Sequence, residues 1–141
     1  MRHVFCGLAI ALAAAGCSGG NSSSSTVAPT GPTATLVNET FSGTVGVSGN
    51  DFNPFTVTLG NTSLTVTLTA AGPPPTIFMG LGIGAHNAST CTLLTNGSVS
   101  TQAGSAAQLA GTISAGAYCV MVYDIGNQIA PVTYTVTLSH Y

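Results

Sequence analysis

From Glu39 onward, apolar side chains return at every second position, and no stretch sustains a helical period. A strand turns successive side chains to opposite faces, so such alternation means one face hidden and one face wet. Phe41, Val45 and Val47 fall in step with Gly43. Phe55, Val57 and Leu59 alternate with Thr56 and Thr58, and Leu64, Val66 and Leu68 with Thr65, Thr67 and Thr69. The turn signal Gly60-Asn61-Thr62-Ser63 between those two runs predicts a hairpin. Gly72-Pro73-Pro74-Pro75 forces a break; Ile77, Met79, Leu81 and Ile83, spaced by Phe78 and glycines, then read as a central strand approached closely by other backbone.

Gly84-Ala85-His86-Asn87 and the segment carrying Cys91 read as loop. A weaker strand from Ala106 to Ile113 follows, then the turn Ser114-Ala115-Gly116 and a strand from Ala117 to Tyr123. Asp124-Ile125-Gly126-Asn127 is another turn, and Val132 to Leu138 the last strand. The expectation is an all-β chain: an antiparallel β-sandwich of jelly-roll or Greek-key type with seven or eight strands.

The surface of such a sandwich has almost no charge to use. Charged residues are 3% of the 141, where about 25% is usual, while 45% hydrophobic residues can support a core. Nucleic acid is excluded as a partner, because phosphate binding needs basic side chains. Arg2 is the one Lys or Arg; beyond it Glu39, Asp51 and Asp124 face no such cation. An anionic ligand would therefore find only a protonated histidine.

At the N-terminus, Arg2 and His3 precede the apolar run from Val4 to Ala15. A dozen such residues fall short of the roughly 20 that span a bilayer. The run ends in Ala14-Ala15-Gly16-Cys17, and here the chain resembles a bacterial lipoprotein precursor, whose lipobox places small residues before an invariant cysteine. The resemblance implies cleavage after Gly16 (signal peptide 1–16) and acylation of Cys17 with palmitate-type chains. It also implies a membrane partner through that anchor, at the outer membrane or cell surface of the bacterial envelope. An ordinary secretory signal, giving a secreted protein, is the alternative. Residues 17–38, rich in Ser, Thr, Gly and Pro, read as a flexible tether and 39–141 as the folded domain.

With Cys6 in the leader and Cys17 acylated, Cys91 and Cys119 remain as an even pair in an exported context, and a disulfide between them is expected. On the chain-entropy model it would stabilise the fold by roughly 3.5 kcal/mol.

Three pieces occur in order: Asp51-Phe52-Asn53-Pro54-Phe55-Thr56-Val57-Thr58-Leu59 leading to Leu64-Thr65-Val66-Thr67-Leu68, then Gly116-Ala117-Tyr118-Cys119-Val120-Met121-Val122-Tyr123, then Tyr134-Thr135-Val136-Thr137-Leu138. In this the segment 39–141 resembles the bacterial pre-peptidase C-terminal domain, a jelly-roll-like sandwich appended to exported proteins. That family carries an acidic strand motif that can contribute to calcium binding; the corresponding stretch, Ile77 to Ile83, has no acid. No metal and no cofactor are expected. The Gly116-x-Tyr118 step is similar to a tyrosine corner, which would turn Tyr118 inward and tie its hydroxyl to backbone.

Catalysis is not expected. His86 and His140 are the bases the domain offers, and neither stands in a nucleophile, metal or phosphate motif. Binding is the remaining class. Tyr123, Asn127, Gln128 and Tyr134 form the candidate ligand set, suited to a glycan or an envelope protein. The alternatives are a carbohydrate-binding module and a structural surface protein that self-assembles through uncharged strand edges.

Overall fold

The structure, a computed structural model, describes residues 33–141. The leader, Cys17 and the tether up to residue 32 lie outside the described residues. Eight strands and no helix occur among the described residues: β1 Val37–Val45, β2 Asn50–Val57, β3 Thr62–Gly72, β4 Met79–Asn87, β5 Thr90–Thr101, β6 Leu109–Ile113, β7 Gly116–Tyr123 and β8 Val132–His140. They form two four-stranded sheets, ordered β1-β8-β3-β6 and β2-β7-β4-β5, with every pairing antiparallel. Every connection but β4–β5 crosses from one sheet to the other, which is the wiring of a jelly roll.

The inner rows are those the alternation marks. Leu64, Val66 and Leu68 of β3 and Val132, Val136 and Leu138 of β8 meet Phe55 and Val57 of β2, Met79, Leu81 and Ile83 of β4, and Val120 and Val122 of β7, all buried. Thr65, Thr67 and Thr69 take the outer positions of β3, where hydroxyls satisfy water without charge.

The alternation leaves one pairing undetermined. The two runs flanking Gly60-Asn61 do not form a hairpin: β2 pairs with β7, while β3 pairs with β8 and β6. The turn, with Asn61 at φ 57°, carries the chain between sheets, so the two apolar rows face each other across the core. A hairpin and this arch hide the same residues. Only the distant strands β7 and β8 decide between them.

Three local expectations are also corrected. Val37 and Asn38, placed in the tether, belong to β1 and pair with His140 and Ser139. His86 and Cys91 lie on strands rather than loops, opposite each other in the β4–β5 ladder, with the turn at Ala88 taking φ 53°. Tyr118 does lie against the core, but as a ring stacked on Phe55 with centroids 5.9 Å apart; no hydroxyl hydrogen bond of a tyrosine corner forms.

β4 is central, between β7 and β5, and its outer face is glycine at three successive positions, Gly80, Gly82 and Gly84. A Cβ at Gly80 would lie 2.2 Å from the Tyr123 ring, one at Gly82 would lie 2.5 Å from Leu93, and one at Gly84 would lie 2.8 Å from Cys91 Sγ. The row of missing side chains lets a second apolar layer settle directly on the sheet. Part of that layer is the Cys91–Cys119 disulfide, which joins β5 and β7 across β4 at Gly84.

Candidate functional site

The jelly-roll wiring collects the loops β1–β2 (46–49), β3–β4 (73–78), β5–β6 (102–108) and β7–β8 (124–131) at one end of the sandwich. Most of the large apolar side chains that the fold leaves uncovered gather there: Val47 at 51% exposure, Phe78 at 47%, Ile125 at 43% and Ile129 at 98%. Apolar tips on several neighbouring loops thus put uncovered hydrophobic surface at this end of the sandwich.

Polar groups hold these loops rather than lining a reaction centre. Asp124 closes the β7–β8 loop on itself: its Oδ1 accepts from the backbone N–H of Gly126 (2.8 Å), Asn127 (3.1 Å) and Gln128 (3.3 Å). Its Oδ2 accepts from Ser48 N–H at 2.7 Å and so ties in the β1–β2 loop. Asn127 Nδ2 donates to the Phe78 carbonyl at 3.0 Å, and Gln102 donates to that of Thr76. Gln128 is buried, its side-chain amide set against the carbonyls of Val45 (3.2 Å) and Gly46 (3.3 Å). Between the β3–β4 and β7–β8 loops lies a cleft of about 300 Å³ walled by Pro73, Pro74, Ile77, Phe78, Ile129 and Ala130.

The four expected ligand residues do not come together. Tyr134 belongs to the inner row of β8 and is buried; its hydroxyl donates to Asp51 Oδ2 and accepts from Asn53 Nδ2, each at 2.9 Å. Burial, reinforced by the Asp51 carboxylate, keeps that hydroxyl protonated well above the usual tyrosine range. Tyr123 lies over Gly80 on the outer face of the second sheet. Asn127 and Gln128 reach the tip, but as braces. A lone tyrosine in alternating sequence carries no mark of which face it takes; the parity of Tyr134 with Val136 and Leu138 did carry that mark. What the sequence offered for the tip was the occurrence of Ile125 and Ile129 within a Gly- and Asn-rich connection, where no strand could hide them; Phe78, read as part of the central strand, lies just ahead of β4 instead.

Both histidines lie away from the loop tip. His140 is buried against Phe55 (centroids 5.4 Å apart), with Nε2 2.9 Å from Glu39 Oε1. His86 sits 6.1 Å from the Phe52 ring on the outer sheet face. Among the described residues no three His, Cys, Asp or Glu converge on a point that could hold a metal. Among those residues, too, no helix is long and apolar enough to cross a membrane.

The brace makes a prediction in acid. The Ser48 N–H above all, with those of Gly126, Asn127 and Gln128, holds the Asp124 carboxyl below its ordinary value of 3.8. A group whose pKa is lower folded than unfolded contributes fully above its unfolded value and loses that contribution as pH falls through its folded one. Protection of the amides of Ser48 and Gly126 to Gln128, relative to their intrinsic exchange rates, should therefore persist down to about pH 4. It should fall below that, and Asp124→Ala should show the reduced protection at neutral pH. An acid profile identical in wild type and Asp124→Ala would remove the brace from the account.

No protein-family model matches the chain, and no curated protein matches it in sequence. Among solved structures it is similar to Aeromonas hydrophila PliG, a periplasmic lysozyme inhibitor of g-type lysozyme, at 13% identity over 74% of this chain and 86% of that one, with a TM-score of 0.50. The likeness is one of fold.

Proposed function

We propose that this protein is a lipid-anchored, non-catalytic binding module of the bacterial envelope. Its loop tip takes an apolar side chain from an uncharged face of a partner protein. The observation that carries the reading is the tip itself, with Ile129 at 98% exposure and Phe78 beside a preformed cleft on hydrogen-bonded loops. Ordered loops lose little conformational freedom on binding, so their apolar contacts go further toward affinity. Charge supports an uncharged partner face, since Asp124 spends both oxygens on backbone and the domain has no Lys or Arg. The lipobox resemblance at Cys17 and the pre-peptidase-like strand pattern supply the location and the accessory role.

Two measurements test it. A photo-crosslinking side chain placed at Ile129 in the producing cell should give one discrete protein adduct, and Phe78→Ser should reduce it about ten-fold or more without lowering the melting temperature. No adduct, or one indifferent to Phe78→Ser, would count against the tip. Metabolic palmitate labelling should mark the wild type and vanish in Cys17→Ser; a labelled variant or an unlabelled wild type would count against the anchor.

Carbohydrate recognition is the second reading, favoured by one observation. The half-exposed Tyr123 ring shares the outer face of the second sheet with Phe52 and Met121. Aromatic faces of that kind stack on sugar rings. Glycan binding lost in Tyr123→Ala and kept in Ile129→Ser would select this face over the tip.

A further inference from the structure

A jelly roll leaves four strands at sheet edges, here β1 and β6 in one sheet and β2 and β5 in the other. Each presents unpaired backbone donors and acceptors to any extended chain that can reach them. Three of the four are obstructed. β2 carries Pro54, which lacks a donor, and Asp51. β5 bulges in its middle, since Ile83 faces the four residues Leu94 to Gly97 between the pairs Gly82–Ser98 and Gly84–Leu93. β1 carries Glu39. β6, Leu109-Ala110-Gly111-Thr112-Ile113, has no charge, proline or bulge.

We propose that β6 is the contact through which two copies of this chain associate, edge to edge and antiparallel, about a two-fold axis through Gly111. Charge selects a second copy. Every copy carries acids and, beyond Arg2, no Lys or Arg, so copies repel wherever Glu39, Asp51 or Asp124 approach. From Asn87 to Tyr123 the sequence contains no charged residue and no histidine, and β6 lies in the middle of that run. The edge is also self-complementary. Centred on Gly111, the register sets Leu109 opposite the other copy's Ile113, twice, and Ala110 opposite its Thr112, twice.

The inner face of the pair has somewhere to go. Leu109 and Ile113 wall a cleft of about 200 Å³ with Leu64, Ile83 and Leu94, where the two sheets part. A Cβ at Gly111 would touch nothing within 4 Å, so the axis passes through open space. Pairing would extend the apolar row of one copy into that of the other and join two four-stranded sheets into one of eight. Five residue pairs make a contact at the small end of specific interfaces, under ~1,200 Å². The dimer is therefore a reversible one that grows in with concentration. Attachment to a common membrane would favour it by raising the local concentration.

The test uses the mature chain from residue 17 carrying Cys17→Ser, so that neither leader nor lipid aggregates it, in sedimentation equilibrium over a wide concentration range. The expected result is a monomer–dimer equilibrium. Ala110→Lys with Thr112→Lys, both on the exposed face of β6, sets like charges opposite each other and should weaken association at least ten-fold. Ala110→Glu with Thr112→Glu should do the same, while the two variants mixed should pair with each other. An invariant monomer at all concentrations would overturn the proposal. Lysine and glutamate variants that associate as the wild type does would also overturn it, and would assign any self-association to another surface, the loop tip included. If one variant fails to fold, Ala110→Lys with Thr112→Glu keeps the question open to an answer, since introduced opposite charges then face each other and association should persist.

Discussion

Removing the Cys91–Cys119 bridge, by Cys91→Ser with Cys119→Ser, is expected to lower stability by about 3.5 kcal/mol and the melting temperature by roughly 15 °C. The bridge closes a loop with a sequence separation of 28 that contains nearly all of β5, β6 and the start of β7. β5 is held on one side by β4 alone and bulges in its middle, so the covalent link to β7 restrains the strand with the weakest ladder. Reduction should therefore free β5 first, visible as fast amide exchange at Thr90 to Leu93 while β3 and β8 stay protected. Gly84→Ala should mimic part of this. Its new carbon would meet Cys91 Sγ at 2.8 Å and the Thr92 carbonyl oxygen at 2.7 Å, and the sulfur clash should disappear once the bridge is removed. A double-mutant cycle with additive losses would mean that the glycine and the bridge do not share that space.

Leu68→Ala is expected to cost about 3 kcal/mol, against less than about 1 kcal/mol for Thr67→Ala one position away. Leu68 is fully buried in the inner row of β3 opposite Val136, where a cavity cannot collapse between two paired sheets. Thr67 faces outward beside Thr137. The contrast measures the two-layer arrangement itself, because a register slip of one residue would exchange the two costs. Equal losses from chemical denaturation would contradict the assigned faces.

How far the sequence speaks follows from such positions. Leu68 and Val136 announce their burial because a period of two, sustained beside threonine, has one physical solution. Which strands pair is another matter. Phe55 to Leu68 is as good a hairpin as an arch until β7 and β8 arrive from more than forty residues downstream. β5 reads as loop because the adjacent Leu93 and Leu94 break the alternation, and that break belongs to the bulge opposite Ile83. The ligand set scatters for a related reason. Tyr134 and Gln128 carry polar groups that the fold uses internally, against Asp51, Asn53 and the carbonyls at the end of β1. The tip assembles from loops far apart in sequence, and no local pattern announces that Val47, Phe78 and Ile129 share one end.

The pairing of Val37 with His140 has a practical side. β1 leaves that pole and β8 returns to it, each crossing about 30 Å of sandwich to the exposed loops. The start of β1 and the end of β8 thus meet at one pole, with the loop tip at the other. A tag fused directly after β8 would begin at the pole farthest from Ile129 and leave the apolar tip in open water.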